Sequence, residues 1–337
     1  MKYRDLQIQT QRETPNNART EGFSFLVRAG YLTRENVLTK LGDYAVNHLR
    51  EIGNEILQAI PTIGNDRESF FAIPTGDIEI ADCLNCKYTE RIELARFAKP
   101  VGASFDFAQD APPLPLEKVE TPDCNTIESL ANFLNITKEQ TAKALMYTRV
   151  SDGKFIFVVV RGDMQLSEAK LKAQVGDVRA ARAEEIVSVG AVAGYASAVG
   201  LALSRVEGLN DALIVVDDLI PQSPNLVAGA NEAGFHLKNT NYGRDYSAEI
   251  VADLVQAQDE DACVNCGNPL SFLRAIQLND KFENTLLALA ETHHDDKGLT
   301  LPHPAAPFDV YLMHIGGKEL DRSEEHTSEL QSRGPYL

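Results

Sequence analysis

The segments ALMYTRV (144–150) and KFIFVVV (154–160) enclose Ser151-Asp152-Gly153. Asp-Gly tolerates the positive φ that a tight turn demands, so the two runs are predicted to pair as an antiparallel hairpin. Two more strands are expected at ALIVVDD (212–218) and NLVAGA (225–230), with a helix at SEAKLKAQV (167–175) between the hairpin and these strands. Strands interrupted by a helix define a mixed α/β unit, and residues 123–250 have the size of an ordinary domain.

Upstream, APPLPLEKVETP (111–122) is proline-rich and carries no helical or strand period, so it reads as an extended linker and a domain boundary. Just after it, Asn125 is placed to cap a helix with Glu128 three residues on, and Thr137 with Gln140 repeats the arrangement. Within 41–60, Val46, Leu49, Ile52, Ile56 and Ile60 recur three or four apart, which predicts one amphipathic helix. No internal repeat is present.

The 337 residues are 44% hydrophobic and 24% charged, the composition of a globular chain able to bury a core. There is no run of about 18 apolar residues, and MKYRDLQIQTQRETP lacks an apolar signal core, so no membrane partner and a cytoplasmic location are expected. The formal charge of −17 argues against bulk attraction to nucleic acid, whose affinity comes from neutralised phosphates. A nucleic-acid partner would have to be held by local patches.

Residues capable of chemistry cluster between 143 and 245. Lys143 stands at a helix-to-strand junction, VVVRGDMQLSEAKLK (158–172) ends a strand in Arg161-Gly162-Asp163, and GYASAVGL (194–201) is a glycine-flanked loop. GANEAGFHLKNTNYGRD (229–245) adds Asn231, His236, Asn241 and Arg244. Cations, backbone donors and one imidazole could converge on an anionic, ester-bearing ligand. The plainer readings are a solvated lysine, an Arg161–Asp163 turn pair and a structural histidine. Spacing alone leaves the choice open.

These blocks, in this order, resemble the editing insertion domain of bacterial-type prolyl-tRNA synthetase, a member of the YbaK-like aminoacyl-tRNA deacylases. The likeness extends outside the domain. TQRETPNNARTEGFSFLVRAGYL resembles the synthetase's opening, and GNDRESFF with the Cys83-Leu-Asn-Cys86 segment resembles the stretch before the insertion. CVNCGNPLSFLRAIQL resembles the stretch after it, and ETHHDDKGLTLPHPAAPFDVYLMHIGGKEL the passage from the class II catalytic domain into the anticodon-binding domain. The implied fold is mixed α/β: a YbaK-like editing domain, a barrel-like mixed sheet with flanking helices, inserted in remnants of a class II α+β catalytic domain. Residues 1–110 and 251–320 would be those remnants, the latter running into the start of the anticodon-binding domain.

The chain departs from that family at several points. The family's motif 2, expected between Ile60 and Pro61, and its motif 3, expected after Phe282, have no counterpart, and Lys40-Leu41-Gly42 stands where Pro-Leu-Gly is expected in motif 1. Adenylate formation needs the cationic groups of those motifs to hold ATP, so ATP binding and ligase activity are expected to be lost. Ala198 occupies the place of the usual proline in the editing loop, which bears on loop precision and rate.

For the editing blocks the resemblance implies hydrolysis of a mischarged aminoacyl-tRNA(Pro), alanyl-tRNA(Pro) first, with no covalent nucleophile and no cofactor or metal in the reaction. Lys143 would hold the terminal phosphate or ester oxygens, and the amides of Val199 and Gly200 would steady the oxyanion. His236 would line the amino-acid pocket, with Arg161, Asp163, Lys170, Asn231, Asn241 and Arg244 as further substrate contacts. The implied partner is tRNA through its 3′ aminoacyl end, and a homodimer is an open assembly, since class II synthetases dimerise. Two alternatives stand beside this reading: a non-catalytic tRNA-binding paralogue, and a true ATP-dependent proline–tRNA ligase altered by assembly of the sequence.

The five cysteines make a disulfide framework improbable for such a chain and direct attention to Cys83/Cys86 and Cys263/Cys266. Flanking the insertion, the pairs could meet as four thiolates around a structural zinc, or be remnants or redox-active pairs. His293-His294-Asp295-Asp296 is assigned a structural role within the synthetase framework. Finally, RSEEHTSELQS (322–332) matches a sequencing-library adapter codon by codon, so 322–337 is expected to be a translated artefact, with the native chain continuing past Leu320.

Overall fold

The computed structural model describes residues 6, 8, 10–100, 113–201 and 212–308; the adapter-like tail lies outside them. The chain divides into two compact units, one built from 64–66 and 76–275, the other from the described residues of 1–63, 67–75 and 276–337.

The first unit contains, in chain order, β1 (Ile78–Asp82), β2 (Thr89–Arg91), β3 (Glu117–Glu120), α1 (Ile127–Leu134), β4 (Ala142–Arg149), β5 (Phe155–Arg161), α2 (Glu168–Val175), β6 (Val178–Ala180) and α3 (Ala183–Ser188). β7 (Ala212–Asp217), β8 (Leu226–Gly229), β9 (Phe235–Thr240), β10 (Ile250–Ala252) and β11 (Ser271–Gln277) follow. A five-stranded mixed sheet runs β10-β7-β5-β4-β6. β4 and β5 form the predicted antiparallel hairpin, with Lys143 opposite Val160 and Ala142 opposite Arg161. Gly153 takes φ 73° in its turn, which a side chain would resist.

β5 is buried along its whole length, and its period of two divides it between two cores. Ile156, Val158 and Val160 pack with Leu171, Val215 and Leu254, whereas Phe155, Phe157 and Val159 pack with Ile214, Val216, Ala198 and Leu201. Burying each such side chain contributes about 1.5–3 kcal/mol. The second core thereby seats the 194–201 loop on the sheet. A three-stranded antiparallel sheet, β8-β9-β3, places His236 opposite Gly229 on one side and Val119 on the other. A parallel bridge between Thr141 and Val227 links the start of β4 to this smaller sheet. β11-β1-β2 form a third, antiparallel group.

Several sequence expectations are corrected. The described part of the proline-rich segment is not merely a linker, because Glu117–Glu120 pairs with β9 as an edge strand. Pro113 and Pro115 precede the strand and Pro122 follows it, so no ladder N–H is lost. The α1 cap is Thr126, whose hydroxyl accepts from Ser129 N at 3.1 Å, rather than Asn125. Thr137 does receive the Gln140 side chain, Oε1 accepting from its N–H at 3.0 Å, but only a 3₁₀ turn follows. The compact unit that holds residues 123–250 also includes 76–100 and 251–275. β10 pairs with β7, and Leu254 and Val255 complete the core, which explains the extension.

In the other unit, helices Glu21–Arg28, Lys40–Ile52 and Phe282–Thr292 share a core that includes Leu26, Val46, Leu49, Leu286 and Leu289. The helix expected over 41–60 stops at Ile52: Gly53 adopts φ 71° and a 3₁₀ helix continues to Ala59. Ile56 and Ile60 are buried as the apolar stripe predicted, but by different backbone geometry. His294-Asp295 forms a short strand with Gly298-Leu299, consistent with a framework role.

Candidate active site

Five pieces of chain surround a small cavity of about 90 Å³ in the first unit: the start of α1 (Asn125, Thr126, Ile127), the start of β4 (Ala142, Lys143, Ala144), the loop at Gly194 and Ala196, Gly229 at the end of β8, and His236 on β9. Lys143 and His236, distant in sequence, therefore share one cavity. The Thr141–Val227 bridge brings their strands together.

His236 is 4% exposed. Its Nδ1 lies 2.6 Å from Thr121 Oγ1, and its ring stands 5.4 Å from that of Tyr195. Burial lowers its pKa to about 4, so the imidazole is neutral at pH 7. Tyr195 lies in the glycine-flanked 194–201 loop, whereas the contact to Thr121 spans 115 residues and follows only from the pairing of β3 with β9.

Lys143 is half-buried and donates to Met164 O and Gln165 Oε1, both at 3.2 Å, which uses two of its three ammonium donors. Burial lowers its pKa, with the charge of Asp163 opposing the shift. Cys124 also lines the cavity, but burial and then the charge of Asp123 push its thiol pKa up, leaving a weak nucleophile.

Gly229 has a specific task. A Cβ there would come within 2.1 Å of Tyr195 O, so only glycine lets the 194–197 loop lie against β8. Asn231 fastens the same loop from beyond the strand. Its Oδ1 accepts from Ser197 N at 2.9 Å, and its Nδ2 donates to Ser197 O at 3.1 Å and Val199 O at 3.0 Å. Its side chain thus holds the loop in place.

The other predicted contacts have protein partners in this structure. Arg161 is buried, makes two bonds to Asp163 at 2.6 and 2.7 Å, and donates to Pro100 O at 3.0 Å. Lys170 is buried too and spends all three donors on Ala95 O, Val255 O and Asp253, the last at 2.9 Å. Asn241 bonds Asn225 and Asn239 O, while Arg244 forks onto Asp245 at 2.8 Å and ties down Leu114 O and Asn239 O. Val199 N already donates to Ser197 Oγ at 3.1 Å, and neither Val199 nor Gly200 lines the cavity. Asp217, Asp218 and Asp253 converge closely enough to suggest a cation site, but Lys99 is ion-paired to all three and supplies the charge itself.

Comparison with known proteins gives this geometry a class. Residues 121–246 match the aminoacyl-tRNA editing domain. The chain is 32% identical over 308 residues to a proline–tRNA ligase of Dehalococcoides mccartyi, covering 79% of this chain and 51% of that protein. It is 33% identical over 287 residues to the Salinispora tropica proline–tRNA ligase, covering 73% and 46%. The chain thus spans about half the length of the curated relatives it matches. A solved structure described as a candidate trans-editing enzyme for prolyl tRNA synthetase aligns with 42% of this chain and 87% of its own at 22% identity and TM-score 0.35.

The larger unit therefore houses an aminoacyl-tRNA editing domain of mixed α/β, YbaK-like fold. The chain around it is prolyl-tRNA synthetase-like. No described helix is long and apolar enough to cross a membrane.

Proposed function

We propose that this chain hydrolyses the aminoacyl ester of mischarged tRNA(Pro), alanyl-tRNA(Pro) in particular, and does not ligate proline. The observation that carries the reading is the placing of Lys143 and a neutral, buried His236 on one small cavity inside the editing domain. Editing answers a physical need, since an apolar pocket discriminates against a missing methylene by only about 1–3 kcal/mol and cannot exclude alanine on its own.

Water attacks the ester carbonyl, its oxygen becoming part of the released carboxylate, and the 3′-hydroxyl of tRNA leaves with a proton. Lys143, which lines the cavity, provides an ammonium for the terminal phosphate or ester oxygens by exchanging its bonds to Met164 O and Gln165. The first turn of α1, with the positive end of its helix dipole at the cavity, adds a second favourable potential for developing negative charge. With Val199 N engaged by Ser197, these groups carry the anion stabilisation first assigned to the 199–200 amides. His236, fixed by Thr121 and Tyr195, forms the wall against the amino-acid side chain. The absent counterparts of motifs 2 and 3 support the loss of ligation.

The test is incubation with alanyl- and prolyl-tRNA(Pro), with ATP–pyrophosphate exchange as the control. Hydrolysis of the alanyl ester without exchange is expected. Exchange would restore the ligase reading, and binding without hydrolysis would favour a tRNA-binding role, to which the occupied Val199 amide also points.

A further inference from the structure

Four cysteines play no part in the hydrolytic reading, yet they meet. The Sγ atoms of Cys83, Cys86, Cys263 and Cys266 all lie within 4.8 Å of one another, with Cys83–Cys266 and Cys86–Cys263 each at 3.5 Å. Metal–sulfur bonds of about 2.3 Å in a tetrahedron place neighbouring sulfurs about 3.8 Å apart. All four are free thiols, and the close pairs run across the two Cys-x-x-Cys motifs, not within them.

The backbone repeats the same device twice. Lys87 N donates to Cys83 O at 2.9 Å, Cys83 N donates to Tyr88 O at 2.8 Å, and Lys87 has φ 59°. Gly267 N donates to Cys263 O at 2.9 Å, Cys263 N donates to Asn268 O at 2.7 Å, and Gly267 has φ 73°. Each turn thus closes on the first cysteine of its pair through two backbone hydrogen bonds. A left-handed lysine is uncommon, which marks the first turn as held by something stronger than its own preference. Cys83 and Cys263 are fully buried, and Asn268 Nδ2 lies 3.5 Å from Cys266 Sγ, where it can orient and tune a ligating sulfur.

We propose that these four thiolates bind one zinc ion in a closed tetrahedral site. Four soft sulfur donors suit Zn²⁺, and with no position left for water or substrate the role is structural. Binding exchanges up to four thiol protons for one Zn²⁺, giving a Zn(S-Cys)₄ centre of net charge −2 with no change of oxidation state. The first turn joins β1 to β2, and the second immediately precedes β11, which pairs with β1. Zinc therefore staples the chain where it departs toward the editing domain to the place where it returns.

The test uses the full chain, purified without chelators under reducing conditions, with metal measured by mass spectrometry and thiols counted in parallel. About one zinc per chain is expected, falling below about a tenth in the Cys86→Ser/Cys266→Ser double variant and unchanged in Cys124→Ser. Cobalt added to the chelator-stripped wild-type chain should give the intense visible bands of tetrahedral thiolate coordination, a readout that does not depend on the variant folding. Wild-type protein that takes up neither metal after anaerobic reconstitution would overturn the site, as would Cys83–Cys266 and Cys86–Cys263 disulfides found by peptide mapping. Neither measurement involves tRNA, so the hydrolytic reading can fail independently.

Discussion

Asn231 offers the most discriminating structural test, because one side chain makes three bonds to the loop that borders the cavity. Each bond contributes about 0.5–1.5 kcal/mol net, so together they hold the loop by about 3 kcal/mol. Asn231 also has φ 52°, a conformation that glycine adopts freely and alanine resists by about 1–2 kcal/mol. Asn231→Gly should therefore weaken the loop by about 3 kcal/mol and Asn231→Ala by about 4–5 kcal/mol. Because the bonds are local, the loss should appear as local opening and not as global unfolding. Hydrogen exchange read on a peptide spanning 194–201 should accelerate on the order of a hundredfold in Asn231→Gly and further in Asn231→Ala, while exchange in β5 stays unchanged. Single-turnover deacylation should slow in the same order. Wild-type exchange rates in both variants would refute the clamp, and equal rates in the two would refute the contribution assigned to the backbone angle.

The buried imidazole predicts a pH dependence with a definite sign. His236 holds its proton only below about 4 when folded, against 6.5 ordinarily, so the unfolded chain binds more protons between those values. Stability from this residue is complete above about 6.5 and lost toward pH 4, by up to about 3 kcal/mol; urea midpoints across that range should flatten in His236→Gln, and an unchanged profile would contradict its burial as neutral imidazole. Lys170→Met removes an ammonium from two carbonyls and Asp253, leaving the carboxylate dependent on Lys99. A loss of about 3–5 kcal/mol in chemical denaturation is expected; full stability with weakened tRNA binding would instead restore the substrate role first given to this lysine.

The sequence made most of the central sheet legible. Asp152-Gly153 between two apolar runs could form little other than a hairpin, and the strands at 212–217 and 226–229 follow from short apolar runs. It misread β3, since Glu117–Glu120 is mostly exposed and becomes a strand only because β9 offers it a partner more than a hundred residues away. Lys143 and His236 were marked, and they do share a cavity. Arg161, Lys170, Asn231, Asn241 and Arg244 carry the same signal, charge or amide in a functional block, and each bonds protein partners, several of them distant in sequence. Residue type does not reveal where hydrogen bonds are already committed. The contact of His236 with Thr121 is not legible in any local pattern, because it depends on the pairing of β3 with β9.

The account rests on Lys143 and His236 forming a hydrolytic cavity, and deacylation of alanyl-tRNA(Pro) by the Lys143→Ala chain tests it most directly. Loss of the ammonium should lower the hydrolysis rate at least about tenfold, with the urea midpoint nearly unchanged because the lysine is half-buried and, among the described residues, bonds Met164 O and Gln165 at 3.2 Å. Hydrolysis at the wild-type rate by that variant would contradict the account.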